Sequence, residues 1–265
     1  MLSDIKAAWA AGSQNNITLV AAGIAHYLLL AMVPTLGALV LGYGIFADPM
    51  TVSGHIERLS DNLPQSAAQL ISDQLTNVSE GADGAKGLGL IASLAVALIG
   101  ARGAANALMT GLNIAFEVDQ SRGLVRGNLV ALAITATAIV ALIVLGAGSA
   151  ALATIGGFVG AAISLTVLLG ASALGAALLY RFAPNRRALS WGAIWPGAAF
   201  FALGWIAATG AFGFYAASFA SYNATYGSLG AVVVLITWFY VSALFLLLGA
   251  ELAAVKGAAN HDSPQ

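Results

Sequence analysis

Six long apolar stretches alternate with polar segments along the chain. The last of them contains no charged residue from Leu229 to Leu248, and about 20 apolar residues at a helical rise of about 1.5 Å match a hydrocarbon core of about 30 Å. Only one charged residue, Arg102, lies inside the six stretches. The pattern therefore predicts an all-α integral membrane protein with six transmembrane helices, at about 18–46, 88–116, 129–148, 155–180, 192–217 and 229–250.

The polar segments complete the predicted domain plan. Residues 1–16 are predicted to form a cytoplasmic interfacial helix, because their apolar residues share one helical face. A six-span membrane domain occupies 17–256, and residues 257–265 are predicted to be a disordered cytoplasmic tail. The segment 47–87 carries an acidic excess, and its apolar spacing predicts short amphipathic helices between spans 1 and 2.

The distribution of cations predicts the orientation. Six spans with a cytoplasmic N-terminus leave more Lys and Arg residues in the cytoplasmic segments than outside, as the positive-inside rule requires. Both termini are therefore expected in the cytoplasm, and segment 47–87 is expected in the periplasm. The cytoplasmic cations are Lys6, Arg122, Arg126, Arg181, Arg186, Arg187 and Lys256, and the periplasmic ones are Arg58 and Lys86.

Composition excludes several classes of protein. With 60% hydrophobic and 8% charged residues, the chain is far from the composition of a soluble globular domain. A net charge of −1 gives no basic excess for nucleic acid, so no nucleic-acid partner is expected. The absence of cysteine excludes disulfides, thiolate metal sites and cysteine nucleophiles. The scattered histidines suggest no metal site, and no cofactor or catalytic constellation is expected.

Several segments together resemble the signature of the YihY/BrkB family of bacterial inner-membrane proteins. They are Ala21–Tyr27 with Pro34, Ala107–Met109 with Leu112 and Asn113, Tyr180–Arg187, Tyr222–Gly230, Trp238–Tyr240 and Gly249–Leu252. His26 departs from the aromatic residue expected at its position. The resemblance implies a multi-pass protein of the bacterial inner membrane. The family carries an old ribonuclease BN label and a virulence-factor label, so the resemblance implies the fold more specifically than the activity.

One face of the second span is polar. At 100° per residue its polar and charged residues fall within an arc of about 80°. We call them the polar seam: Arg102, Asn106, Thr110, Asn113 and Glu117. Because a guanidinium inside a membrane helix costs about 2.5 to 3.5 kcal/mol on insertion scales, Arg102 could mark a site for an anion or a lipid headgroup. Alternatively it reaches the interface and pairs with Glu117 or Glu251 for stability.

Two other ionisable residues lie at or inside predicted spans. Glu251 could accept a proton or a cation within the bundle, or it could be a structural ion-pair partner of Arg181. His26 lies in the first span and is a possible titrating group. The alternative for His26 is a hydrogen bond across helices.

Two polar clusters are candidate contacts for a substrate or a lipid. The arginine loop, Arg181–Arg187, could bind an anionic headgroup through Arg181, Asn185, Arg186 and Arg187, or it could only set topology. Tyr222, Asn223 and Tyr226 could line a periplasmic opening for a polar substrate, or they could form an interfacial turn.

The polar residues of the spans favour a membrane transporter or a lipid or anion translocase of unknown substrate. Its candidate substrate contacts are Arg102, Asn106, Asn113, Glu117, Tyr222, Asn223, Tyr226 and Glu251. Its expected partners are membrane lipids and an anionic lipid or small molecule. A non-catalytic scaffold for envelope assembly is the alternative. A membrane-bound ribonuclease is a third hypothesis, but the chain offers no carboxylate cluster beside its cations.

Overall fold

The computed structural model describes residues 2–46, 83–118, 122–123, 125–137, 155, 157–186, 189–219 and 223–261. Within those ranges the secondary structure is helical and no strand occurs. The helices are α1 Leu2–Gln14, α2 Ile17–Phe46, α3 Asp83–Ala115, α4 Val125–Thr137, α5 Gly157–Phe182, α6 Trp191–Phe219 and α7 Asn223–His261. The predicted all-α class is therefore confirmed.

Three of the seven described helices are long and apolar enough to cross a membrane. They are α5, the Trp191–Tyr215 part of α6 and the Val232–Ala259 part of α7, with 26, 25 and 28 residues. At about 1.5 Å per residue each exceeds a hydrocarbon core of about 30 Å. Large apolar side chains along them are exposed, including Phe158 at 88% and Phe214 at 80%. Such faces need an apolar surrounding, so the chain is a membrane protein.

Helix α1 and the first half of α2 form a bent pair. Leu2–Gln14 and Ile17–Met32 together are also apolar enough to cross a membrane, and they meet at an angle of 71°. Counted as one span, they are a fourth candidate among the described residues. The bend separates the predicted interfacial helix from the predicted first span.

Predicted spans 192–217 and 229–250 lie within α6 and α7, and predicted span 155–180 overlaps α5 from Gly157 onward. Predicted spans 18–46 and 88–116 lie in α2 and α3, apart from the final residue of the second, Phe116. The third predicted span, 129–148, is described only up to Thr137, where it is helical. Most of the predicted periplasmic segment, residues 47–82, lies outside the described residues. The full count of six spans and the orientation stay predictions.

The C-terminal segment differs from its prediction. Helix α7 continues to His261, so residues 257–261 are helical where a disordered tail was predicted. Packing explains the difference: a Cβ added at Gly257 would meet the Leu189 side chain at 2.7 Å, and the Lys256 ammonium pairs with Asp4. These tertiary contacts stabilise a helix end whose own sequence is not strongly apolar.

The chain divides into two compact units. The first contains Met1–His26 with Ala104–Gln265, and the second contains Tyr27–Gly103. In the first unit α7 packs against α1 and α6, and α5 packs against α6. In the second unit α2 and α3 approach at small residues, since a Cβ on Gly100 would lie 3.0 Å from the Cα of Ala31.

Glycine makes the contact between α6 and α7 possible. A Cβ on Gly197 would collide with the carbonyl oxygen of Gly249, and a Cβ on Gly249 would collide with the Tyr180 hydroxyl. That hydroxyl is buried and donates a hydrogen bond to the Leu246 carbonyl, at 2.7 Å. The close approach fixes the C-terminal half of α7, which carries Glu251, against its neighbours.

Candidate functional site

Glu251 is a buried carboxylate in the C-terminal half of α7. Only 2% of its surface is exposed, and its neighbours Ala250, Leu252 and Ala253 are also buried. The Asn15 side-chain amide donates a hydrogen bond to its Oε1 atom, at 2.8 Å. Among the described residues, no Lys, Arg or His forms an ion pair with this carboxylate. We call Asn15 and Glu251 the carboxylate centre.

The sequence between α1 and α2 positions Asn15 at the carboxylate. Helix α1 ends at Gln14, and Asn16 adopts a left-handed backbone conformation with φ 52°. Asparagine tolerates this conformation better than most residues and therefore often ends a helix. The Asn16 carbonyl then accepts the first hydrogen bonds of α2, from Leu19 and Val20. The Asn15-Asn16 pair thus makes the sharp bend that brings the Asn15 amide to α7.

Helix α1 is held on α7 at two points. At one point the Asp4 carboxylate pairs with the Lys256 ammonium at 2.6 Å, and this ammonium lowers the pKa of the Asp4 carboxyl. At the other point Asn15 bonds Glu251. Between them Ala8 and Gly12 are buried, and a Cβ on Gly12 would come 3.6 Å from the Cγ of Glu251. Small residues thus allow α1 to lie close to the carboxylate.

Arg122 belongs to a second polar region, at the end of α5. Its guanidinium donates hydrogen bonds to the carbonyl oxygens of Phe182, Ala183 and Pro184, with Phe182 at 3.0 Å and Pro184 at 2.9 Å. The last carbonyls of a helix have no partner within the helix, and a cation is favourable near that end. Partial burial lowers the pKa of Arg122, and nearby Arg126 acts in the same direction.

The end of α3 bonds to the same loop. The Asn113 side-chain oxygen accepts a hydrogen bond from the Asn185 backbone N–H at 2.9 Å. The Arg186 guanidinium donates to the Phe116 carbonyl at 3.4 Å and lies 5.7 Å from the centre of the Phe116 ring. We call Asn113, Arg122 and Arg186, with the backbone they bind, the loop network. Through these polar groups α3 and Arg122 bond to the loop at the end of α5.

The remaining cations of the arginine loop have different surroundings. Arg181 donates a hydrogen bond to the Leu189 carbonyl, and its guanidinium lies 4.6 Å from the centre of the Trp191 ring. Arg181 is therefore not the partner of Glu251, which binds Asn15 instead. Arg187 lies outside the described residues.

The polar seam does not form a buried stripe in the first unit. The described buried side chains of α3 are apolar, whereas Asn106 is half-buried and Thr110 is exposed. They are Ala104, Ala105, Met109, Leu112 and Ala115. The Thr110 hydroxyl donates to the Asn106 carbonyl of its own helix. Arg102 belongs to the second unit, where it is exposed and has contacts of its own. His26 is also exposed and engaged in an interaction.

Glu117 has a structural role at the end of α3. Its φ is 51°, and the N–H groups of Glu117 and Val118 bond the carbonyls of Ile114 and Asn113. This is the pattern of a Schellman motif, in which a left-handed residue ends the helix. The candidate contacts Tyr222, Asn223 and Tyr226 are not described in full. Tyr222 lies outside the described residues, as do the side chains of Asn223 and Tyr226.

Sequence reasoning missed the contacts of Asn15 and Arg122. Asn15 is 236 positions from Glu251, so no local pattern connects them. The Asn15-Asn16 pair between two apolar segments is nevertheless a recognisable helix-ending signal. Arg122 was assigned only to the topology of its loop, and nothing in its neighbourhood indicates the carbonyls that it binds about sixty positions away.

Comparison with known proteins gives one family. A family model described as virulence factor BrkB matches residues 8–264. The ribonuclease-like protein YfkH of Bacillus subtilis is 34% identical over 250 residues, which cover 88% of each chain. The UPF0761 membrane protein RSc1559 of Ralstonia nicotianae is 28% identical over 256 residues, 91% of this chain and 56% of that protein.

A shorter stretch matches another membrane protein. The UPF0761 membrane protein PSHAa0171 of Pseudoalteromonas translucida is 37% identical over 97 residues, which cover 36% of this chain and 32% of that protein. The chain thus spans most of the Bacillus relative but only about half of the Ralstonia one. No solved structure matches the chain.

Proposed function

We propose that this chain, which belongs to the YihY/BrkB family of membrane proteins, is a transporter or a lipid or anion translocase of the bacterial inner membrane. In this proposal six spans cross the membrane with both termini in the cytoplasm. Glu251 is the residue that takes up and releases a proton or a cation during transport. The substrate is an anionic lipid or another small anion.

The observation that supports this proposal is the burial of Glu251 with a single amide partner. Removing a carboxylate from water costs several kcal/mol unless a cation or several donors replace the water. Among the described residues only the Asn15 amide binds it. Ionisable residues in membrane helices generally belong to ion pathways or proton relays. A carboxylate that is poorly compensated in its charged form is suited to binding and releasing a proton or a cation.

Asn15 would connect the binding or release of a proton or cation at Glu251 to the rest of the protein. It lies where α1 meets α2, and the two helices bend there by 71°. Loss of the negative charge on Glu251 weakens its hydrogen bond with the amide, since bonds to charged acceptors are the stronger ones. A change at the carboxylate therefore acts on the bend between α1 and α2. Arg102 and Asn106 of the polar seam are retained in the proposal as candidate substrate contacts.

A non-catalytic scaffold for envelope assembly is the second candidate. The observation that favours it is the loop network, in which Arg122, Asn113 and Arg186 bind backbone groups of the protein itself. Polar residues used in this way stabilise a surface and need no substrate. This reading applies to the arginine loop and gives no account of the buried Glu251.

Transport in proteoliposomes tests the proposal. Purified full-length protein is reconstituted, a pH gradient is imposed, and uptake of labelled anionic phospholipids and small anions is followed together with the internal pH. We expect flux above that of empty liposomes for the wild type and a loss of about tenfold or more for E251Q. The matched control is D4N, which makes the same change from carboxylate to amide at the other contact between α1 and α7.

Two results would contradict the proposal. One is flux equal to that of empty liposomes across the whole panel, which would favour the scaffold. The other is undiminished flux in E251Q. Cleavage of RNA by the same purified protein, free of contaminating nuclease, would instead favour an enzyme.

A further inference from the structure

An apolar pocket lies between α1, α6 and α7, separate from the carboxylate centre. Its volume is about 230 Å³, and it is partly open. Ile5, Ala8 and Trp9 of α1 line it together with Phe200 of α6 and with Phe245 and Leu248 of α7. All of these residues belong to the first compact unit. The walls are almost entirely hydrocarbon.

It is unfavourable for this pocket to be filled with water or to stay empty. A water molecule needs two to four polar partners, and apolar cavities of this kind stay dry. The apolar walls of a partly open pocket gain dispersion contacts when an apolar group lies against them. The pocket therefore favours an apolar guest.

The location of the pocket indicates the source of that guest. Trp9, which forms one wall, is 60% exposed, and Leu2 on the same helix is 79% exposed. Tryptophan on a short helix beside the ends of spans is typical of the membrane interface. At that level of a bilayer, acyl chains are the abundant apolar groups.

Charged residues near the pocket suit an anionic headgroup. Lys6 follows Ile5 on α1 and is exposed. Lys256 is one helical turn from Leu252, another lining residue, and pairs with Asp4. Lysine near the surface of an anionic leaflet favours the binding of anionic lipids. Lys6 is thus the cation best suited to meet a headgroup whose acyl chain enters the pocket.

We infer that the pocket between α1, α6 and α7 binds one acyl chain of an anionic phospholipid, with the headgroup facing Lys6. This lipid fills the gap between α1 and the two spans. The inference is independent of the proposed transport activity, since a protein of either candidate function could hold such a lipid.

Lipid retention after purification tests the inference. The full-length protein is delipidated in detergent, incubated with phosphatidylglycerol or phosphatidylcholine, and examined by native mass spectrometry. We expect one tightly held phosphatidylglycerol on the wild type and about tenfold weaker retention in A8F, whose larger side chain occupies the pocket. The matched control is A199F, because Ala199 is exposed on α6 and lies outside the pocket. Equal retention by A8F and A199F would overturn the inference.

The headgroup and the pocket are tested separately. K6E should lower the preference for phosphatidylglycerol over phosphatidylcholine, and an unchanged preference would overturn the assignment of Lys6.

If A8F does not fold, quenching by phospholipids brominated on the acyl chain replaces it. The wild type should lose more fluorescence than W9F as the bromine approaches the chain depth of the pocket. Equal quenching of the two proteins at every bromine position would contradict an acyl chain beside Trp9.

Discussion

The carboxylate centre and the loop network differ in how their charged groups are compensated. In the loop network the Arg122 guanidinium meets three backbone carbonyls that would otherwise lack partners at the end of α5. In the carboxylate centre the Glu251 carboxylate is buried and accepts a hydrogen bond from one side-chain amide. A charged residue at the end of a span therefore does not by itself indicate a functional site. The number and kind of its partners separate a structural charge from a candidate functional one.

The difference has an energetic consequence. Hydrogen bonds to charged groups contribute about 1.5 to 3 kcal/mol each, so the loop network should stabilise the fold substantially. A buried carboxylate with little compensation should instead reduce stability. Residues that lower stability are often retained because activity requires them.

Replacing Arg122 should give the largest loss of stability. R122A leaves three carbonyls at the end of α5 without their donor, and we expect the free energy of unfolding to fall by about 2 to 4 kcal/mol. Denaturant unfolding in detergent micelles, followed by circular dichroism, measures this change. The matched control is R126A, since Arg126 is exposed and lies four residues after Arg122, in the first turn of α4. Equal stability of R122A and R126A would show that Arg122 does not stabilise the fold.

Removing the Asn15 amide should have the next largest effect. N15A leaves the Glu251 carboxylate buried without its donor, which should destabilise the protein by about 1 to 3 kcal/mol. The same substitution in an E251Q background should cost less, because a neutral side chain is easier to bury. A double-mutant cycle measures the coupling between the two positions. Additive effects would show that Asn15 and Glu251 do not interact.

Asn113 connects the loop network to α3 through one neutral hydrogen bond. N113L removes the acceptor for the Asn185 N–H and should destabilise the protein by about 1 kcal/mol. The same unfolding assay applies, and hydrogen exchange at the Asn185 amide gives a local reading. Unchanged protection of that amide would mean that another acceptor holds it.

The Asp4–Lys256 pair should contribute least, because both side chains are partly exposed and such pairs are weak. The Lys256 ammonium lowers the pKa of Asp4. The contribution of the pair is thus present above the ordinary pKa of an aspartate and is lost as the pH falls through the lowered value. D4N should unfold like the wild type at neutral pH and remove a small part of the acid sensitivity. A large loss of stability at neutral pH would contradict this ranking.

The sequence predicted the spans better than the contacts between them. Uncharged runs long enough to cross a bilayer identified α5, α6 and α7, because the hydrocarbon core constrains length and polarity at once. The helical end of α7 was missed, since it depends on contacts with Leu189 and Asp4 that come from distant parts of the chain.

Of the two residues of the carboxylate centre, the sequence analysis selected Glu251 and not Asn15. Glu251 was selected from its position after an apolar run, but its partner was expected to be Arg181 rather than Asn15. Glu117 was selected as a polar residue of the seam, whereas its backbone ends α3. Residue type and helical spacing indicate which groups are unusual. Only tertiary structure tells which of them are satisfied by the backbone.

The unfolding free energy of E251Q decides whether Glu251 is a functional or a structural charge. If Glu251 is a functional charge retained against stability, E251Q should be as stable as the wild type or more stable by about 1 kcal/mol. R122A serves as the reference for a structural charge in the same assay. A loss of stability in E251Q as large as that in R122A would show that Glu251 is a structural residue and would contradict the account.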